Sequence, residues 1–204
     1  MFDVLIIGGG VSGVSCAMVL GSAHKKAFVQ DKKIAIITHQ KSSSLQDAIF
    51  YNAYGISSGK LGADLLVETT QQLQENYPHI LQIEEEKVLK VTATEGNFEI
   101  VTTKHTFQSK IVVVGIGSSN LFAIDGLLQY VMPHQKSLAE KQRIQLKNND
   151  HKVVDGIYVC GTLAGHRSQL AIASGSGAAV ATDILVLWNN GIETHSHDSV
   201  RVKE

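Results

Sequence analysis

Cysteine is scarce in this chain: Cys16 and Cys160 are the two in 204 residues, and no Cys-x-x-Cys occurs. That count excludes a disulfide framework, and the missing motif excludes a resident redox dithiol of that spacing. Proline is equally scarce, with two residues, and no low-complexity or Pro/Gly/Ser-rich segment marks a linker. Charge of one sign is lacking too: 18 Lys+Arg stand against 19 Asp+Glu, a net charge of −1. Without a basic stripe, nucleic acid is not expected as the main partner. No stretch approaches about 18 uninterrupted apolar residues, so no membrane span is expected. The apolar opening segment also differs from a signal peptide, because Asp3 stands where a basic region belongs and glycines break the apolar run. These absences predict a soluble, cytoplasmic chain with one domain over residues 1–192 and a polar tail over 193–204.

What the chain does have is glycine in a telling place. The apolar run Phe2 to Ile7 enters Gly8-Gly9-Gly10-Val11-Ser12-Gly13 and continues into a small-residue helix ending near Ser22. Strand, G-x-G-x-x-G turn and helix follow in the order a dinucleotide site needs. Gly8 permits the tight turn, Gly10 lets backbone approach a pyrophosphate, and Gly13 allows helix and strand to pack closely. Free N–H groups at the helix start would face the phosphates, helped by the helix dipole. A plain structural turn is the alternative; the context favours nucleotide. This unit is expected to found the sheet.

Further along, Ile34 to Thr38 is a β-branched run of the kind buried in a parallel sheet. Gly59 to Asn76 reads as a helix with Leu61, Leu65, Leu66, Thr69 and Leu73 on one face. Ile80 to Ile83 is a short strand. Lys87 to Thr94, Asn97 to Thr103 and His105 to Gln108 read as an antiparallel meander turning at Glu95-Gly96-Asn97. Two more buried parallel strands follow, Lys110 to Gly117 and Gly156 to Gly161. The segment from Arg167 to Trp188 is helical by composition, and its small residues suit close approach of a backbone or a flat ligand.

Four blocks together resemble the FAD-binding half of the thioredoxin reductase-like pyridine nucleotide–disulfide oxidoreductases. They are Asp3 to Gly13, Tyr54-Gly55-Ile56 with the following helix, Val112 to Gly117, and Gly156 to Thr162 with Arg167 to Gly175. Their order covers nearly the whole chain. The resemblance implies a three-layer α/β Rossmann-like FAD-binding fold, a parallel central sheet with a small antiparallel β-meander. It implies FAD as cofactor, held by Gly8, Gly9, Gly10, Val11, Ser12 and Gly13, by Gly117, and by Gly161 and Thr162. Backbone N–H groups at Gln169 and Leu170 would face the flavin ring and favour a reduced flavin's negative charge. The family often pairs, so a homodimer is possible.

The chain departs from the family in three ways. The family inserts an NAD(P)H domain between the third and fourth blocks, whereas only about 40 residues separate Gly117 from Gly156 here, short of an ordinary domain. No second G-x-G-x-x-G occurs. The acid that binds the adenosine ribose is missing: if Ile34–Thr38 is the second strand, the position falls on Thr38, His39 or Gln40, with Asp31 as the fallback. Thr162 stands where the family has a ribityl-binding aspartate, forfeiting charge assistance of about 1 kcal/mol.

Other residues weigh less. Cys16 and Cys160 read as buried small hydrophobes rather than redox thiols. His166 and Arg167 are candidates for polar contact with flavin or substrate, against a solvated loop. His195 and His197 make an incomplete metal set, so no metal is expected, and Glu84-Glu85-Glu86 reads as a solvated turn. No catalytic acid, base or dithiol is identified. The leading expectation is an FAD-dependent oxidoreductase served by an external electron donor. The alternative is a non-catalytic nucleotide- or FAD-binding partner or regulatory module, and a plain NAD-binding dehydrogenase ranks third.

Overall fold

Strand β1 (Phe2–Ile7) is apolar and buried from Val4 to Ile7, where both its edges and both its faces are covered. The computed structural model describes residues 1–39 and 45–196. In it β1 pairs in parallel with β2 (Ile34–Thr38) on one side and β8 (Thr106–Val114) on the other. β5 (Ile80–Glu84) extends the parallel sheet beyond β2, and β12 (Ile157–Val159) extends it beyond β8, with β11 (Lys152–Val154) antiparallel at that edge. The Rossmann-like order expected from the sequence is present, with the founding strand at its centre.

Alternate side chains of these strands feed two cores. Val4, Ile6, Ile36 and Val113 face α1 (Val11–Ser22) and α3 (Leu170–Trp188), where Leu20, Val180, Ile184 and Leu185 are fully buried. Leu5, Ile7, Val112 and Val114 face the opposite layer, made of β6 (Val88–Thr94), β7 (Asn97–Thr102) and the segment around Leu127, Leu146 and Leu163. Three layers result.

The meander is present, with a difference. The third meander strand and the following parallel strand are one nine-residue strand, β8. Its first half pairs antiparallel with β7 and its second half runs parallel between β1 and β12; Ser109 is opposite both Phe98 and Phe2. The polar Gln108-Ser109-Lys110 stretch reads as a break in sequence, but the Ser109 hydroxyl is turned back onto the Ile111 carbonyl at 2.7 Å and the strand continues.

Three other expectations need correction. α2 (Gly62–Asn76) buries Leu66 and Leu73, but Leu61 is 48% exposed, because it belongs to the short ladder of β3 (Ile49–Phe50) with β4 (Lys60–Leu61) and only precedes the helix. Glu86 is not a solvated turn residue: it is 4% exposed, its carboxylate taking the Thr102 hydroxyl and lying 2.7 Å from His105 Nδ1. α3 starts at Leu170 rather than Arg167, and it reaches the length and hydropathy of a membrane span, which interruptions by Gly, Ser, Thr and Asp183 hide in a count of unbroken apolar residues. One face of it, with Val180, Ala181, Ile184 and Leu185, packs against α1 and the sheet, while Ile172 and Leu187 are exposed. Between the third and fourth blocks, where the sequence predicts no element, the chain forms a hairpin of β9 (Val131–Pro133) and β10 (Ile144–Leu146).

Candidate functional site

The glycine turn lies at the carboxyl ends of the parallel strands, where open α/β sheets bind ligands. Gly8 has φ +118°, and a Cβ there would lie 2.7 Å from the Gly115 carbonyl oxygen. At Gly13 a Cβ would fall 1.9 Å from the Gly8 carbonyl oxygen. Both glycines are therefore required by the packing of strand, turn and helix. Gly10 differs: its φ is −83°, and a Cβ there would meet nothing within 4 Å. It caps α1 without a side-chain hydrogen bond, and no acidic residue lies in the first turn. An α-helix leaves its first backbone N–H groups without partners inside the helix, and no side chain caps them here.

The other blocks converge on this turn. Gly115 would place a Cβ 3.0 Å from the Gly13 nitrogen, and Gly161, at φ +72°, would place one 2.7 Å from Ser12 Oγ. Gly177 of α3 presses on the Ser12 carbonyl, and Ser15 Oγ donates to the Ser174 carbonyl at 2.8 Å. So the glycine turn, the end of β8, the Gly161 turn and the first half of α3 share one corner of the molecule. Gly117 and Gly175 border it with nothing within 4 Å of an added Cβ. α3 likewise begins without a side-chain cap and without an acid in its first turn, its extended Gln169 exposed and Leu170 half-buried. Thr162 is half-buried beside Gly161, its carbonyl accepting the Gly165 N–H at 3.0 Å.

At the end of β2, Thr38 is buried and its hydroxyl donates to the Ile83 carbonyl at 3.5 Å, while His39 is exposed. Gln40 lies outside the described residues, as does His197. Asp31 precedes β2 by three positions and so stands at the amino end of the sheet, away from the glycine turn. That placement removes it as the fallback for a group bound at the turn.

The cysteines are buried and free. Burial pushes the Cys160 thiol up to about 12, with a hydrogen bond from Ser12 pulling the other way, and burial also raises Cys16 well above the usual thiol value. Neither is a thiolate at neutral pH, so neither is an activated nucleophile. Among the described residues, no group of three His, Cys, Asp or Glu side chains gathers as a metal set.

Sequence reasoning singled out His166 but missed its neighbours. His166 Nε2 lies 3.0 Å from His151 Nε2, and His134 Nε2 lies 3.3 Å from the His166 carbonyl. His151 also lies 3.0 Å from Ser176 Oγ, which accepts the Gly161 N–H at 2.8 Å. Arg167, exposed, donates from Nη1 to the Lys136 carbonyl at 3.4 Å. The β9–β10 hairpin thus braces the loop leading into α3. A surface groove of about 470 Å³ runs along that hairpin beside His134 and Leu138, away from the glycine turn.

This geometry defines a three-layer α/β protein of Rossmann-like type, with two helix starts that carry no side-chain cap. Residues 2–164 match the family model described as pyridine nucleotide-disulphide oxidoreductase, and the chain belongs to that family. Solved structures share the fold at low identity. A thioredoxin reductase from Gloeobacter violaceus is 14% identical at a TM-score of 0.72, with 98% of this chain and 99% of that one covered. An oxidoreductase from Agrobacterium tumefaciens is 13% identical at 0.71, covering 91% and 98%. A ferredoxin-flavin thioredoxin reductase from Clostridium acetobutylicum is 15% identical at 0.69, covering 93% and 98%. No curated protein sequence matches the chain.

Proposed function

We propose that the chain is an FAD-dependent oxidoreductase of thioredoxin reductase-like type that takes its electrons from an external donor. The observation that carries this reading is the convergence of the glycine turns and helix starts on one corner. The open face of Gly10 and the uncapped starts of α1 and α3 border one corner, where two glycine turns press against Ser12. Backbone donors without side-chain caps, at two helix starts, suit an anionic ligand with a pyrophosphate at one end and an electron-accepting ring at the other. The residues present fit FAD on that test.

In this reading Gly8 to Gly13 hold the pyrophosphate through backbone N–H groups. His39, exposed at the end of β2, takes the ribose position, with Gln40 beside it in sequence; buried Thr38 is committed to Ile83. Gly117 leaves room for backbone approach, Gly161 brings its turn against Ser12, and Thr162 offers a neutral hydroxyl to the ribityl chain. The N–H groups of Gln169 and Leu170, at the positive end of α3, favour negative charge on the ring system. Bound FAD would supply the two-electron chemistry, and the chain supplies binding, orientation and electrostatics.

The purified protein is expected to be yellow, with flavin absorption that bleaches on reduction. Protein that is colourless and cannot be reconstituted with FAD would remove the proposal. Bound flavin that NADH, NADPH and reduced ferredoxin or flavodoxin all fail to reduce would favour the non-catalytic module instead. That second reading draws on Thr162 and on the missing acid after β2.

A further inference from the structure

His151 and His166 meet beside the amino end of α3, and their hydrogen bonds fix where the protons sit. Two imidazole nitrogens 3.0 Å apart need one N–H and one bare lone pair. Ser176 Oγ accepts the Gly161 N–H and, with a second lone pair and its own proton, can either accept from or donate to His151 Nε2 at 3.0 Å, so it does not choose the tautomer. The Asp150 carboxylate beside Nδ1 makes the choice, leaving the single Nε2 lone pair of His151 to accept from His166. With Nε2 bare, His151 carries its proton on Nδ1, a buried atom without a hydrogen-bond partner that faces the Asp150 carboxylate at 3.7 Å. The opposite tautomer would set a bare, buried nitrogen against a carboxylate. His166 therefore donates from Nε2, and its free lone pair is on Nδ1. The assignment rests on the hydrogen-bond network.

His166 is half-buried on the short loop that enters α3, four residues before Leu170. The charged and titratable groups facing it are His151 and Asp150 from the turn before β11, His134 and Lys136 from the β9–β10 hairpin, and Arg167 next in sequence. Burial lowers its pKa first, and His151, Lys136 and His134 lower it further, while Asp150 opposes them. Burial lowers His151 as well. The pair is accordingly neutral at neutral pH, with His166 presenting a base.

We propose that His166, held in this tautomer by His151, is the proton-exchanging residue of the flavin site: it takes up one proton as an electron pair arrives there and releases it as the pair leaves. The inference rests on the FAD reading given above. The electrons come from the external donor and the proton from solvent; on the protein only one N–H bond forms, at His166 Nδ1. The resulting imidazolium donates from Nε2 to the His151 lone pair, with the Asp150 carboxylate beyond offsetting its charge. His151 and Asp150 are positioning residues in this arrangement, much as a carboxylate orients a histidine base.

The test counts protons. The midpoint potential of FAD-loaded protein is measured against pH between about 5 and 8, the range in which histidine titrates. Native protein is expected to consume two protons per electron pair over part of that range, one taken by the flavin itself and one by His166, and His166→Gln one fewer there. Asp150→Asn, at a left-handed position (φ 46°) that asparagine tolerates, is expected to keep the second proton but move its uptake to lower pH. Histidine ¹⁵N NMR of the native protein without flavin is expected to show His151 protonated on Nδ1 and His166 on Nε2. One proton per electron pair in native protein, an unchanged count in His166→Gln, or His151 protonated on Nε2 overturns the inference while leaving bound flavin intact. Protein that binds no flavin overturns the FAD reading itself.

Discussion

Gly10 and Gly13 sit three residues apart in one turn, and they answer to different masters. A methyl group added at Gly13 would collide with the Gly8 carbonyl at 1.9 Å, whereas one at Gly10 would meet nothing within 4 Å. Gly13 is glycine because the protein's own backbone occupies the space. Nothing in the protein requires glycine at Gly10, where the backbone is extended and acceptable to any residue. The same division runs through the corner: Gly8, Gly115, Gly161 and Gly177 are crowded, while Gly117 and Gly175 are open. Crowded glycines report packing, and open ones at the rim of a cleft mark space left for something outside the chain.

The strongest way to break that comparison is Gly13→Ala. Helix propensity alone would make this change favourable by about 1 kcal/mol. The clash with backbone predicts the reverse, a loss of about 3 kcal/mol, visible as a large fall in Tm or as insoluble protein. An unchanged or raised Tm would show that the turn relaxes freely. Gly10→Val should behave oppositely. Flavin affinity is expected to fall on the order of a hundredfold, about 2.7 kcal/mol, as contacts to a charged pyrophosphate are lost. The Tm of the flavin-free protein should stay close to native. Flavin content and Tm read on the same samples separate the two sites, and equal behaviour would erase the distinction.

Thr162→Asp sharpens the ribityl end. A charge-assisted hydrogen bond there is expected to raise FAD affinity by up to roughly tenfold, measured by titration of apoprotein. A tenfold loss would mean that the turn, fixed by the Thr162 carbonyl to Gly165 N–H bond, has no partner for a carboxylate. The smallest effect expected is on pH. His151 and His166 have pKa values lowered chiefly by burial. The folded state thus binds protons less readily than the unfolded chain. Stability from this source is complete above about pH 6.5, the unfolded histidine value, and falls as the pH drops towards the lowered folded values. Thermal melts between pH 8 and 5 should show that decline, and His166→Gln should lose its share of it.

Much of this architecture could be read from the chain because the signals are local and periodic. The β1–turn–α1 unit, β2 and β5 all stand where apolar runs and glycines place them, and the resemblance anticipated the layers. What stayed hidden depends on contacts distant in sequence. Glu86 reads as one of three solvated acids until Thr102 and His105 close over it. His134, His151 and His166 lie up to 32 positions apart in sequence, and only the β9–β10 hairpin and the Gly161 turn bring them together. That hairpin has no alternating pattern to announce it. Its strands are three residues each, too short for periodicity to register.

Strand β8 carries a consequence for the order of events during synthesis. β1 is paired on its inner edge by residues that follow more than a hundred positions later in the chain. At translation rates of about 5–20 residues per second, its apolar residues wait several seconds for that partner. The β6–β7 hairpin, a neighbour in sequence, is complete earlier and already offers β7 as an edge. Because β8 joins both, its arrival zips the preformed hairpin onto the waiting strand, with Ser109 the point where the two meet. A slip of one residue in β8 at that moment would turn every buried side chain of its second half to the wrong face.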